Sequence, residues 1–330
     1  MGRLAAIVVL ALLAGSLPAR AAEVAVTATP VHSFGEVGLD GRVDGLVFRG
    51  GIAMVAQDDT FGGLSGVTPT GANQHVTFVS DRGNFVSGQL AYDDNGRLFG
   101  LIGVSVEPIR NSQGEVLPRQ YARDAESVDT IYRNGAPVAV RVGFEHLTRV
   151  ADFALSGGMP GGAAREIAVP DWLGELRTNA SLESLCVAPP ASPIAGSTLL
   201  LTEDHDDGAG NRAGWLLGQR DAGPISYAAS RGLYPTDCAF LPSGDLLVLE
   251  RGVSVLGFSM ALRLVPAGEV LPGAVMNGRA VLTASGSAID NMEALMVHKA
   301  PGGETRIVLG SDNNFNDWQR SLLLEFALAP

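Results

Sequence analysis

Acidic residues recur along this chain at a regular interval inside stretches that are otherwise apolar. The motif runs Leu64-Ser65-Gly66-Val67, Ala125-Glu126-Ser127-Val128, Leu182-Glu183-Ser184-Leu185, Thr236-Asp237-Cys238-Ala239 and Met292-Glu293-Ala294-Leu295. Aligning Ser65, Glu126, Glu183, Asp237 and Glu293 gives steps of 61, 57, 54 and 56 residues. Each copy is followed by an apolar run that ends in a polar pair, at Ser80-Asp81-Arg82, Phe144-Glu145, Thr202-Glu203, Glu250-Arg251 and Ser311-Asp312. A single Asp or Glu at a strand end is ordinary turn chemistry. Four acids at one phase of five repeats, among Val, Leu and Ala, point to side chains that converge. Gathered carboxylates raise one another's pKa unless a cation or an arginine compensates, and an all-oxygen donor set suits a hard cation such as Ca²⁺. The candidate catalytic residues are therefore Glu126, Glu183 and Glu293 with Arg82 and Arg251, the arginines acting as a clamp on anionic oxygens. Asp81, Glu145, Glu203, Asp237, Glu250 and Asp312 are the candidate Ca²⁺ ligands.

Two further loops carry dense oxygen donors. Thr202-Glu203-Asp204-His205-Asp206-Asp207-Gly208 has four carboxylates in five positions, without the spacing of an EF-hand. It reads equally well as a cation loop or a solvated turn. Ser311-Asp312-Asn313-Asn314-Phe315-Asn316 has five oxygen-bearing side chains in six residues, with Arg320 beyond; it could ligate a cation, hold a polar substrate, or simply be an Asx-rich turn. Other chemistries find no support. Gly63-Leu64-Ser65-Gly66-Val67 is out of register for a nucleophile elbow. The histidines, His32, His75, His146, His205 and His298, show no zinc spacing. No Walker loop or dinucleotide fingerprint occurs.

The elements that must position these residues are short strands. Between the two acidic marks of a repeat lie hairpin signals such as Pro242-Ser243-Gly244-Asp245 and Pro301-Gly302-Gly303. Each unit thus reads as strand, turn, strand and two further strands, which is a β-propeller blade. The predicted fold is all-β, a single propeller of five to seven blades with six preferred, closed by N- and C-terminal strands. A strand within residues 24–37 is expected to complete the blade that holds residues 321–328, because a ring without edges needs its ends joined. Inner strands would begin at the channel mouth and deliver the acids to the axis.

Composition agrees with many strands and tight turns. The 330 residues are 46% hydrophobic and 18% charged, with 42 Gly and 18 Pro, so disorder, a coiled coil and a long helical bundle are excluded. A net charge of −12 argues against nucleic acid and anionic membrane surfaces as main partners. Arg3, the apolar run Leu4 to Ala14 and Ala19-Arg20-Ala21 form a Sec-type signal peptide, residues 1–22, leaving residues 23–330 as one propeller domain in the periplasm or outside the cell. The apolar run is too short to span a bilayer. Export permits a bridge between Cys186 and Cys238. Divergence of adjacent inner strands from the axis nevertheless favours free thiols.

Several of these segments resemble the phytase-like family, also called "esterase-like activity of phytase". Phe61-Gly62-Gly63-Leu64-Ser65-Gly66 with Ser80-Asp81-Arg82-Gly83 is similar to its opening motif, and Asp290-Asn291-Met292-Glu293-Ala294-Leu295 with Leu309 to Asn316 to its closing one. Asp124-Ala125-Glu126-Ser127, Phe144-Glu145-His146 with Arg149, and Leu249-Glu250-Arg251-Gly252 match middle signatures. The resemblance spans residues 45 to 328 and implies an exported propeller that hydrolyses phosphate or other esters. Ser65 stands where the other repeats carry an acid, and Glu145-His146 where an arginine is usual. The function expected is metal-assisted hydrolysis of a small-molecule phosphoester or ester by a monomer. The alternative is a non-catalytic propeller that binds a sugar, peptide or envelope component, and lactone hydrolysis is suggested by architecture alone.

Overall fold

The computed structural model describes residues 22–118, 120–255 and 257–329. The signal peptide expected over residues 1–22 lies almost wholly outside them. Five sheets stand around one axis, with five, four, five, four and six strands, antiparallel except where Val275–Met276 pairs parallel to Gly223–Tyr227 at the outer side of the third. Each begins with an inner strand: Leu64–Pro69, Ala125–Arg133, Leu182–Val187, Tyr234–Phe240 and Asn291–Lys299. The inner strands are buried along most of their length, because a neighbouring blade covers each face. From the inner strand each blade steps outward through antiparallel hairpins for three or four strands, and strands from elsewhere in the chain add to the outer side of the first, third and fifth sheets. The helical pieces are single turns, such as Gln120–Arg123 and Asp171–Gly174.

The core is divided among the blade interfaces. Phe48, Leu249, Leu262, Leu309 and Phe326 fill the space between the fourth and fifth blades. Ile52, Val67, Phe78, Ala294 and Leu323 do so between the fifth and the first. Similar clusters lie at the other three interfaces, around Leu199 and Val248, Phe85 and Phe153, and Val150 and Leu185. Apolar residues on both faces of each strand are thereby used, which is why the sequence shows runs of Val and Leu more than strict alternation.

The ring has five blades, at the low end of the expected range and not the preferred six. The N-terminal segment builds no separate blade: Leu46–Ala56 pairs along the C-terminal strand Ser321–Leu328, and Val26–Val31 pairs along the outer side of Leu46–Ala56. The closing strand is therefore residues 46–56, and the expected 24–37 segment contributes the next strand out. A second correction concerns the cysteines, which are joined. With five blades the inner strands of adjacent sheets stay close, and the Cα atoms of Cys186 and Cys238 are 5.7 Å apart, within disulfide range. The bridge ties the third blade to the fourth. Among the described residues, no helix is long and apolar enough to cross a membrane.

Candidate functional site

A β-bulge interrupts the pairing of every inner strand with its neighbour at the same place. The residue left out of register is Ser65, Glu126, Glu183, Thr236 and Glu293 in successive blades. A bulge leaves one residue unpaired and re-aims its side chain. Here it turns three glutamates towards the axis, where Glu126 feels the charges of both Glu183 and Glu293.

A second layer comes from the ends of the next strands, at the residue that follows the partner of the position just before each bulge. These positions hold Asp81, Glu145, Glu203, Arg251 and Asp312 in turn. The backbone repeats the arrangement: the N–H groups of Asp81, Glu145 and Glu203 donate to the carbonyls of Gly63, Asp124 and Ser181 at 3.1, 2.9 and 3.0 Å. The fourth blade thus brings Thr236 and Arg251, where the second, third and fifth bring an acid at both positions and the first brings Ser65 and Asp81. The Arg251 guanidinium lies 2.6 Å from Glu293, 3.0 Å from Glu203 and 2.6 Å from the Asn291 side-chain oxygen. The layers also touch each other: Glu183 is within hydrogen-bonding reach of Glu145, Glu293 of Asp312, and Glu126 of Asp124.

Burial dominates the electrostatics of this mouth. It pushes the carboxyls of Glu126, Glu183 and Glu293 well above the usual range, with neighbouring carboxylates adding to the rise. Asp81 and Glu145 are pushed up to about 7. Glu203, Asp312 and Asp124 are raised for the same reason, opposed in part by Arg251 for the first two and by a hydrogen bond from Glu126 for the third. Asp81 Oδ1 is buried without a hydrogen-bond partner. It sits beneath Gly63 and the ring of Phe315, and a side chain at Gly63 would collide with both. The dense acids therefore hold extra protons or accept a cation, and their donors are oxygens.

Three expected site residues lie outside this constellation. Asp237 is one position past the bulge, so its side chain faces the next blade, where it accepts from the backbone N–H groups of Leu295 and Cys238 at 2.7 and 2.8 Å. The structural counterpart of the glutamates in that blade is Thr236. Glu250 is likewise one residue short of the mouth. It is fully buried between the third and fourth blades and accepts from the Tyr227 hydroxyl and the Ser230 N–H at 2.7 and 2.9 Å. Arg82 is at the correct end but not in the ring: its guanidinium stacks 3.3 Å from the Phe315 ring centroid and donates to the Asp59 carbonyl at 3.2 Å. The loop after Thr202 behaves as a turn, with Asp206 and Asp207 capping the N–H groups of Gly208 and Ala209. The Asn313 side chain in the last loop accepts from the Gly63 N–H at 3.1 Å, binding that loop to the entrance of the first blade.

Two residues of the site were not singled out from the sequence. Asp124 precedes Glu126 by two positions and belongs to the same wall. His146 has a positive φ of 50°, which turns its ring back so that Nε2 lies 3.2 Å from Asp124. One ligand atom from each of Asp124, Glu145 and His146 lies within 4.8 Å of the others. The acid-alanine-glutamate order at 124–126 was a signal for the first; nothing in the sequence announces the backbone turn that places the second.

The family model described as phytase-like, "Esterase-like activity of phytase", matches residues 59–315. Among solved structures, the PQQ-bound aldose sugar dehydrogenase of Streptomyces coelicolor is similar at 11% identity with a TM-score of 0.43, covering 92% of this chain and 98% of that one. The structure of U3-55K is similar at 10% identity with a TM-score of 0.39, covering 85% and 77% respectively. Neither likeness bears on the site. No curated protein matches the chain in sequence.

Proposed function

The chain belongs to the phytase-like family, and from that premise we propose that it is an exported, metal-assisted hydrolase of phosphoesters or other esters that works as a monomer at the acidic mouth of its propeller. One observation carries this reading: Asp81, Asp124, Glu126, Glu145, Glu183, Glu203, Glu293 and Asp312 gather around one end of the axis with Arg251 as the guanidinium among them.

The residues suit a hard divalent cation. Their donors are carboxylate oxygens with one imidazole at the rim, and the buried, unpartnered Asp81 Oδ1 lacks what such an ion provides. Ca²⁺ fits this donor set, held by Glu126, Glu183 and Glu293 with Asp81, Glu145, Glu203 and Asp312 around them. When bound, the ion would neutralise charge on a phosphoryl or carbonyl oxygen and lower the pKa of a bound water. The chain's own groups do the rest. Asp81 and Glu145, pushed up to about 7 in the cation-free ring, would give up their protons as a cation binds, which couples occupancy of the site to pH. Arg251, held by Glu203, Glu293 and Asn291, keeps those acids oriented and limits their repulsion. Arg82, on its Phe315 platform, presents guanidinium N–H groups to an anionic oxygen arriving from solvent.

Export is supported by the apolar N-terminal run and by the Cys186–Cys238 bridge, which suits an oxidising compartment. An activity screen over phosphomonoesters, phosphodiesters and carboxyl esters tests the reading. Turnover should vanish in chelator and return with Ca²⁺. Ca²⁺-dependent stabilisation without turnover on any ester would replace the hydrolase with a binding propeller.

A further inference from the structure

Beside the acidic ring an open cavity of about 430 Å³ is lined by Tyr121, Asp124, His146, Leu147 and Arg177. Its chemistry is divided. One wall is the Asp124–His146 pair, which belongs to the acidic mouth and whose polar atoms engage each other. Leu147 and Tyr121 stand 36% and 46% exposed, an aliphatic and an aromatic surface left open to water on the strand-end loop and the short helix that border the site. Arg177 is pinned through one nitrogen to the carbonyls of Gly174 and Leu176 at 2.5 and 2.8 Å, and pairs with no carboxylate among the described residues.

A ligand that fills this space therefore meets apolar surface, a cation, and the acid cluster at once. A polyol would leave hydroxyl groups against Leu147, which has no polar atom to offer, and unpaired polar groups lose affinity. A ring or short alkyl group would instead cover the exposed surface of Leu147 and Tyr121, which is favourable in proportion to the area removed from water. We propose that this cavity receives the group carried by the ester, that it prefers an aryl or short alkyl group to a polyol, and that Arg177 holds an anionic oxygen of the same ligand. The inference rests on the hydrolase reading for what the ligand is, and on the cavity for what it looks like.

Calorimetric titration of the full chain, with and without saturating Ca²⁺, with phenylphosphonate, methylphosphonate and 2,3-dihydroxypropylphosphonate separates the two. Phenylphosphonate should bind at least about tenfold more tightly than 2,3-dihydroxypropylphosphonate, with methylphosphonate, which covers less apolar surface, between the two. Leu147→Asn should erase that advantage and leave methylphosphonate affinity in place, with Leu147→Ser as the second variant should the first not fold. Arg177→Gln should weaken phenyl- and methylphosphonate by a similar factor. Equal affinity for the three ligands, binding of none, or an advantage that survives both Leu147 variants would overturn the proposal. Because these ligands are not hydrolysed, selective phenylphosphonate binding in a chain without turnover would sink the hydrolase and keep the pocket, whereas turnover without selectivity would do the reverse.

Discussion

Replacing Arg251 by Gln removes the guanidinium held against Glu293 and Glu203 at 2.6 and 3.0 Å. For charge centres about 4 Å apart at an effective dielectric near 20, each pair contributes about 4 kcal/mol of attraction. The desolvation of an arginine that is only 19% exposed offsets much of this. Breaking a buried pair from one side leaves the other charge uncompensated, and the net cost is typically about 3–5 kcal/mol. That range is the expected loss at pH 8 in chelator, read by urea unfolding. At pH 5 the loss should shrink to about 1–2 kcal/mol, the worth of the missing hydrogen bonds, because carboxyls whose pKa is already raised by burial take up protons and no longer need a counter-charge. Arg251→Lys should retain part of the stability at pH 8. An equal loss at both pH values would mean that Arg251 acts by packing alone, and the electrostatic account of the mouth would be wrong.

Three other expectations follow from the same geometry. Cys186→Ser with Cys238→Ser should lower unfolding stability by about 4 kcal/mol, the chain-entropy value for a bridge across 52 residues; the loss should largely disappear in reductant, where the wild type is unbridged too, and an equal loss under both conditions would show that the bond does not carry it. Ca²⁺ at a hundred times its Kd should stabilise the native state by about 2.7 kcal/mol; Glu183→Gln should abolish that rise in Tm, and a persistent rise would place the ion elsewhere. In chelator, stability should fall as pH rises from about 4 to 7: Asp81 and Glu145 bind protons in the folded ring that their ordinary values of 3.8 and 4.5 release in the unfolded chain. A Tm that is flat or rising over that interval would refute the assignment.

What could be read from the sequence was whatever repeats with the strands. The acids at 126, 183 and 293 and those at 81, 145, 203 and 312 share a phase with their neighbours, and a phase survives in one dimension. Asp237 did not, because the bulge adds a residue to each inner strand and a slip of one position sends a side chain to the other face. Choosing the acid over Thr236 was chemically reasonable and geometrically off by one. Glu250 shows the same effect at the second layer, since adjacent strand residues alternate in direction. The disulfide depends on how closely two blades approach, and the blade count depends on where residues 26–31 and 46–56 find partners. Both are set by contacts between distant segments, on which local pattern is silent.

Ring closure has a consequence for how the chain can acquire its structure. Ala53 faces Leu322 across the seam, so the last sheet is completed by a strand made early and a strand made last. Contacts so remote in sequence are slow to form. Until the seam closes, Leu46–Ala56 and Ser321–Leu328 each present an open edge, with apolar side chains such as Phe48, Ile52, Leu323 and Phe326 that the finished ring buries completely or nearly so. A nascent chain cannot close this ring before its final strand arrives, and the seam therefore stays open for the whole of its synthesis. The open seam makes the C-terminal strand the natural point at which truncation would convert a closed ring into an aggregating one.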